Sequence, residues 1–389
     1  MTRLASLLAG AVLALVATAS LAAEIRIGFL SLDADPRYDE DFVYARIELR
    51  PTGNALEGAR LGIADSAMLA GTTGNTFTLD PQSAPDLAGL AAAVKQMADA
   101  GERFVILDLP GDKVDALAAA TKDLPVTLVN ATAPEDMLRA RCYPNLLHVA
   151  ASDRMTADAL VQYLRTRNWQ RILLLVGEEP RDRLVADSFR AAAERYRLKI
   201  VDERPFVLST NPENREENNL LLLTGGTEYD VVYLADSRGE FGRYLPYATQ
   251  LPRLVVGSTG LVATEWHWSL ERYGAPQVNS RFEAQSGGRR MAGQDWSTWM
   301  AAKAIATAYA KSRSADPAEV DAYLRGPRLK VDGSKGVVMD FRPWDGQMRM
   351  PVMLATHNAV IAFAPLSGFQ HQTNTLDTLG TDEPEHKCQ

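Results

Sequence analysis

Short apolar runs alternate with helical patterns along this chain, and the alternation occurs twice. EIRIGFL (24–30), TFTL (76–79), RFVILDLP (103–110) and VTLVNA (126–131) read as strands. Between them, NALEGARLGIADSAMLAG (54–71), DLAGLAAAVKQMADAG (86–101) and DKVDALAAATKD (112–123) carry apolar residues at helical spacing. After a break the pattern restarts with DRMTADALVQYLRTRNW (153–169), RILLLVG (171–177), RLVADSFRAAAERYR (183–197), LKIVDERPF (198–206), YDVVYLAD (229–236) and RLVVGS (253–258). An alanine-rich helix, 295–312, precedes late strands in GVVMDF (336–341) and MPVMLATHNAVIAF (350–363). Such alternation implies the α/β class, with two doubly wound parallel-sheet lobes rather than one long sheet. Ligands of such sheets gather at the carboxyl ends of the strands, so the cleft between the lobes is the expected site.

With 389 residues, 46% of them hydrophobic, the chain is large enough for two cores. Arg3, the apolar run 4–16 and the small residues ending at Ala22 have the order of a cleavable secretory signal, 1–22, which predicts a periplasmic location. An oxidising compartment favours a disulfide between Cys142 and Cys388, with two free thiols as the alternative. The net charge of −8 argues against nucleic acid as a partner, because phosphate binding needs a basic field.

Several segments, in order, resemble the branched-chain amino acid class of periplasmic solute-binding proteins. GARLGIAD (58–65) looks like that family's first helix and VNATAPE (129–135) like its serine-alanine-threonine strand end. CYPNLLHVAASDRMTADALVQYL (142–164), VVGSTGLV (255–262) and DPAEVDAYLRGPRLKVDGSKGVVMDFRPWDGQ (316–347) resemble its three crossings between lobes. The resemblance implies the type I periplasmic binding protein fold, with two lobes joined by a three-strand hinge near 147–150, 255–258 and 335–341. Lobe 1 is then 24–149 plus 257–335, lobe 2 is 150–256 plus 336–370, and 371–389 forms a C-terminal tail.

A narrower resemblance, in LPRLVVGSTGLVATEWH (251–267), SRFEAQSGGRRM (280–291), FRPWDGQMR (341–349) and GFQHQTNTLDTLGTDEPEHKC (368–388), is to the subfamily associated with pyrroloquinoline quinone (PQQ)-dependent alcohol oxidation. It implies the solute-binding component of an ABC transporter, with the transporter's membrane components as partners and a small molecule as ligand. No cofactor is required, and PQQ itself, a planar polycarboxylate, is a candidate ligand. The alternative is a ligand sensor, or a chaperone handing PQQ or a lanthanide to a periplasmic dehydrogenase.

Candidate ligand contacts follow from strand ends. Asn130, Ala131 and Thr132 offer backbone and hydroxyl donors to an anion, or else cap their own loop. Asp108 stands where the family resemblance would place small hydroxyl residues. On the second lobe, Arg181 and Arg183 suit a polycarboxylate, unless Glu178, Glu179 and Asp182 satisfy them, and Asp236 ends a strand nearby. Arg238, Arg289 and Arg290 carry the same alternatives. In TEWHWSLERYG (264–274), Thr264 is expected to cap a helix whose inner face holds Trp266, Leu270 and Tyr273. Trp268, about 200° around from Trp266, then faces the cleft or solvent, with His267 beside it.

The acidic loop 33–41 suits a hard cation but fails as an EF-hand, because Tyr38 and Tyr44 occupy the positions of the turn glycine and the bidentate glutamate. No metal site is expected there or in the histidine-bearing tail. The chain carries no G-x-S-x-G, G-x-G-x-x-G or H-E-x-x-H motif, so binding rather than catalysis is expected.

Overall fold

The structure, a computed structural model, describes residues 24–38, 53–71, 74–209, 211–214 and 218–389, with the backbone of two short strands, Val43–Tyr44 and Ile47–Glu48. The expected signal segment, and residues 39–41 of the acidic loop, lie outside the described residues.

Five parallel strands form the first sheet, in the spatial order Thr76–Ala84, Glu24–Leu32, Phe104–Asp108, Thr127–Asn130 and Leu146–His148. Phe104–Asp108 is buried at every position, as a central strand covered on both faces must be. Its upper face packs on the helices Leu87–Asp99 and Gly111–Ala120 through Leu90, Val94, Val114 and Leu117. The opposite face packs on Leu56–Asp65 and the 20-residue helix Gly293–Ser312. These two helices approach closely because Gly58 and Gly62 have no Cβ: one on Gly62 would lie 2.6 Å from the Trp299 carbonyl oxygen, and one on Gly58 would strike that of Asp295.

Thr76–Ala84 is twice the length of the expected TFTL strand. It holds Pro81, which removes a ladder donor, and the strand tolerates it by lying at the sheet edge.

The second sheet is parallel as well, in the order Leu254–Gly257, Val231–Ala235, Arg171–Val176 and Lys199–Pro205. Asp153–Thr166 and Pro180–Arg195 cover one face, and Phe206, Leu223 and Phe241 help to close the other. A third, antiparallel sheet pairs Val262–Thr264 with Val352–Thr356 and the latter with Ala359–Ala364, and it packs on Asp153–Thr166. The doubly wound lobes expected from the alternation are therefore present.

Two expectations are corrected. Because Val262–Thr264 pairs within the second lobe, the chain returns to the first after Thr264 and not at 255–258. Thr264 also caps no helix: residues 265–274 are irregular, and the helix Ala275–Gln285 starts after Gly274, whose φ is 78°. Pro276 fits the first turn of that later helix, where a missing N–H costs nothing.

Candidate functional site

A cavity of about 1110 Å³ opens where the lobes meet. The loop Ala131–Pro134 borders it from the first sheet, Asp153 and Thr156 from the second lobe, and the returning segment through His267 and Trp268 from the side. Its remaining wall is the run Gly287–Gln294, which ends in the first turn of Gly293–Ser312. The unpaired N–H groups of a long helix favour an anion in front of them.

Two adjacent arginines on this wall have different fates. Arg289 donates both terminal nitrogens to the fully buried Asp295, at 2.7 and 2.8 Å, and Asp295 also accepts from the Ala292 N–H. Arg290 has no carboxylate partner among the described residues; its guanidinium lies 3.7 Å from the centre of the Trp268 ring. One arginine thus orients the helix start, and the other presents an open charge on an aromatic plane. Gln294 adds a side-chain nitrogen that is shielded from solvent and has no hydrogen-bond partner among the described residues.

Glu265 lies deeper. Its Oε1 accepts from the Ala151 N–H at 3.1 Å, and its Oε2 sits 2.6 Å from where a Cβ on Gly293 would fall, so the carboxylate rests in the space that this glycine leaves open. Its negative charge is felt by Lys335, which is buried, donates to the Pro351 carbonyl at 3.1 Å and lies over Trp296. Burial holds the Lys335 ammonium well below its usual range, against the opposing pull of Glu265. Glu265 and Lys335 thus join the chain segments that pass between the lobes.

The expected contacts divide. Ala131, Thr132, His267 and Trp268 border the cavity. Burial, reinforced by Arg290, lowers the His267 pKa, so its ring is neutral at pH 7; its Nδ1 accepts from the Ser269 N–H, which leaves the proton on Nε2. Asn130 is buried and satisfied within its own turn: Oδ1 accepts from the N–H groups of Thr132 and Ala133, and Nδ2 donates to Ala133 O and meets His148 Nδ1. It shapes the loop.

Arg181 is held by Asp153 through two contacts of 2.5 Å, not by the acids beside it in sequence. Burial pushes the Asp153 carboxyl up to about 6 even so. Arg183 is exposed and does not border this cavity. Asp236 accepts from the N–H groups of Gly239 and Gly242 and lines a separate, smaller cavity in the second lobe.

Arg37 was not expected. It donates to Asp35, Asp108 and Thr132, while Tyr38 and the Ala55 N–H also donate to Asp108. The protein's own Asp108 carboxylate thus takes up the donors at this first-lobe strand end, and part of the acidic loop is an internal ion pair. Partners this far apart in sequence leave no local signal. Cys142 and Cys388 form the expected disulfide. Among the described residues the close grouping of metal-type ligands is Cys142, His386 and Cys388, in which the disulfide uses both thiols. No helix among them is long and apolar enough to cross a membrane.

A family model described as "Periplasmic binding protein" matches residues 51–214. No curated protein matches the sequence significantly. A periplasmic binding protein from Burkholderia mallei shares 14% identity, with 94% of this chain and 98% of that chain covered and a TM-score of 0.65. A branched chain amino acid ABC transporter periplasmic ligand-binding protein from Burkholderia xenovorans LB400 shares 15%, covering 87% and 95%, with a TM-score of 0.67. The leucine-, isoleucine-, valine-, threonine- and alanine-binding protein of Brucella ovis, in its closed conformation, shares 11%, covering 88% and 93%, with a TM-score of 0.67. With its two parallel-sheet lobes and the cleft between them, the chain has the type I periplasmic binding protein fold.

Proposed function

We propose that this protein is a periplasmic solute-binding component of an ABC transporter, and that it captures a planar anionic molecule in the interlobe cleft. The observation that carries the ligand class is the Arg290 guanidinium, which lies over Trp268 with no carboxylate partner among the described residues, beside the start of Gly293–Ser312. A flat carboxylate gains from the aromatic face, the open charge and the helix N–H groups together. Transport is supported by the family match and by the named role of the Burkholderia xenovorans protein. The Asp108–Arg37 arrangement counts against copying the amino-acid specificity of the similar structures, since a carboxylate is already present at that strand end.

Within this class PQQ is the specific candidate, supported by its planar polycarboxylate chemistry and by the subfamily resemblance of 251–267 and 280–291. Thermal unfolding of the mature protein with PQQ, branched-chain amino acids and a lanthanide salt tests the reading. PQQ at about 100 times its dissociation constant adds roughly 2.7 kcal/mol. A shift with leucine or with the metal, and none with PQQ, contradicts it.

A further inference from the structure

We infer that the C-terminal tail is a covalent strap that limits how far the two lobes rotate apart. The tail is anchored first on the hairpin 341–348, which pairs with His148 at the end of the first sheet's last strand, and then on the second lobe. Asp377, fully buried, accepts from Arg342 Nε and Arg349 Nε, each at 2.8 Å, and Arg342 also donates to the carbonyls of Leu376 and Leu379. Thr378 and Gly380 then bind the two helices that cover the second sheet. Gln162 donates to Thr378 Oγ1 at 3.1 Å and Tyr196 to its carbonyl at 2.6 Å, while Asp158 accepts from the Gly380 N–H and Arg195 donates to its carbonyl.

The far end is fixed to the other lobe. Cys388 is bonded to Cys142, and the Gln389 N–H donates to the Ala140 carbonyl at 2.8 Å. Cys142 precedes Leu146–His148, the last strand of the first sheet, and belongs to the first lobe. The chain therefore passes from lobe to lobe a fourth time, beside the first and third crossings, and this passage is closed by a bond.

The tether between the anchors has a fixed upper length. From Gly380, held by Asp158 and Arg195 of the second lobe, to Cys388 is eight residue steps, a reach of about 27 Å when fully extended. Part of that length is already taken up by the 3-10 turn Glu383–Glu385. Rotation that extends the tether fully must then break the Thr378 and Gly380 contacts or the disulfide. The disulfide is the accessible element, because Cys388 is exposed while Thr378 and Gly380 are buried.

The test measures the spread of interlobe distances in the empty protein, so it does not depend on what the cleft binds. Spin labels on ketone-bearing amino acids replace Met68 in the first lobe and Tyr247 in the second, both highly exposed. We expect a narrow distance distribution in the oxidised protein. It should become broader and longer after reduction, and equally so in the Cys142→Ser and Cys388→Ser variants, with circular dichroism confirming that each stays folded. An unchanged distribution after reduction, with only the melting temperature lowered, overturns the strap and leaves a stabilising cross-link. A quinone-binding failure alongside a broadened distribution rejects the ligand assignment and leaves the strap standing.

Discussion

The Arg290 guanidinium lies 3.7 Å from the centre of the Trp268 ring, at the edge of the interlobe cavity, with no acid to neutralise it among the described residues. An arginine kept on an aromatic face is pre-positioned for a planar anion, which can stack on the ring and accept from the fork at once. Charge-assisted hydrogen bonds contribute about 1.5–3 kcal/mol. Arg290→Gln should therefore weaken PQQ binding by roughly ten- to a hundredfold, as read by calorimetry, and leave the melting temperature of the empty protein in place because the residue is exposed.

Trp266 and Trp268, two residues apart, should separate stability from binding. Trp266 is buried, donates its indole N–H to Asn279 at 2.8 Å and stacks near Trp296. Trp266→Ala removes a fully packed aromatic ring and should cost about 3–5 kcal/mol in chemical denaturation. Trp268→Ala should cost far less stability, since the side chain is only half-buried at the cavity wall. Equal losses of stability would place both rings in the core.

Glu102 should give the protein a pH-dependent stability. It is buried against the first sheet beside Asp80 and Arg26, and burial, reinforced by Asp80, pushes its pKa from 4.5 to about 7. The native state then holds a proton that the unfolded chain releases between these values. The contribution of Glu102 is fully present below pH 4.5 and is lost as pH rises through about 7. Urea denaturation of Glu102→Gln should show a smaller fall in stability over this window than the parent protein. Identical pH profiles would mean that Glu102 ionises as an ordinary surface acid does.

The lobes were legible in the sequence because buried parallel strands such as Phe104–Asp108 are continuous apolar runs, and because the helices between them keep a 3.6-residue period. Thr76–Ala84 was read short because edge position, which lets Pro81 sit in a strand, is a tertiary property. The stretch after Thr264 misled for a similar reason: its helical spacing lost to pairing of Val262–Thr264 with Val352–Thr356, nearly a hundred residues away. Strand-end logic placed Thr132 near the cleft, whereas Trp268, which also borders the cavity, was left between cleft and solvent by a helical reading that does not hold. The division of labour between Arg289 and Arg290 was not readable, since adjacent arginines look alike until Asp295 is seen to take one of them.

Calorimetric titration of the protein with PQQ and with leucine asks whether the cleft binds a planar anion against Trp268. We expect one PQQ site per chain, little or no heat from leucine, and an affinity lowered by roughly twofold to tenfold in Trp268→Ala, the range expected for about 0.5–1.5 kcal/mol of aromatic contact. Leucine binding with no PQQ binding, or PQQ binding that Trp268→Ala leaves unchanged, would contradict this mode of binding.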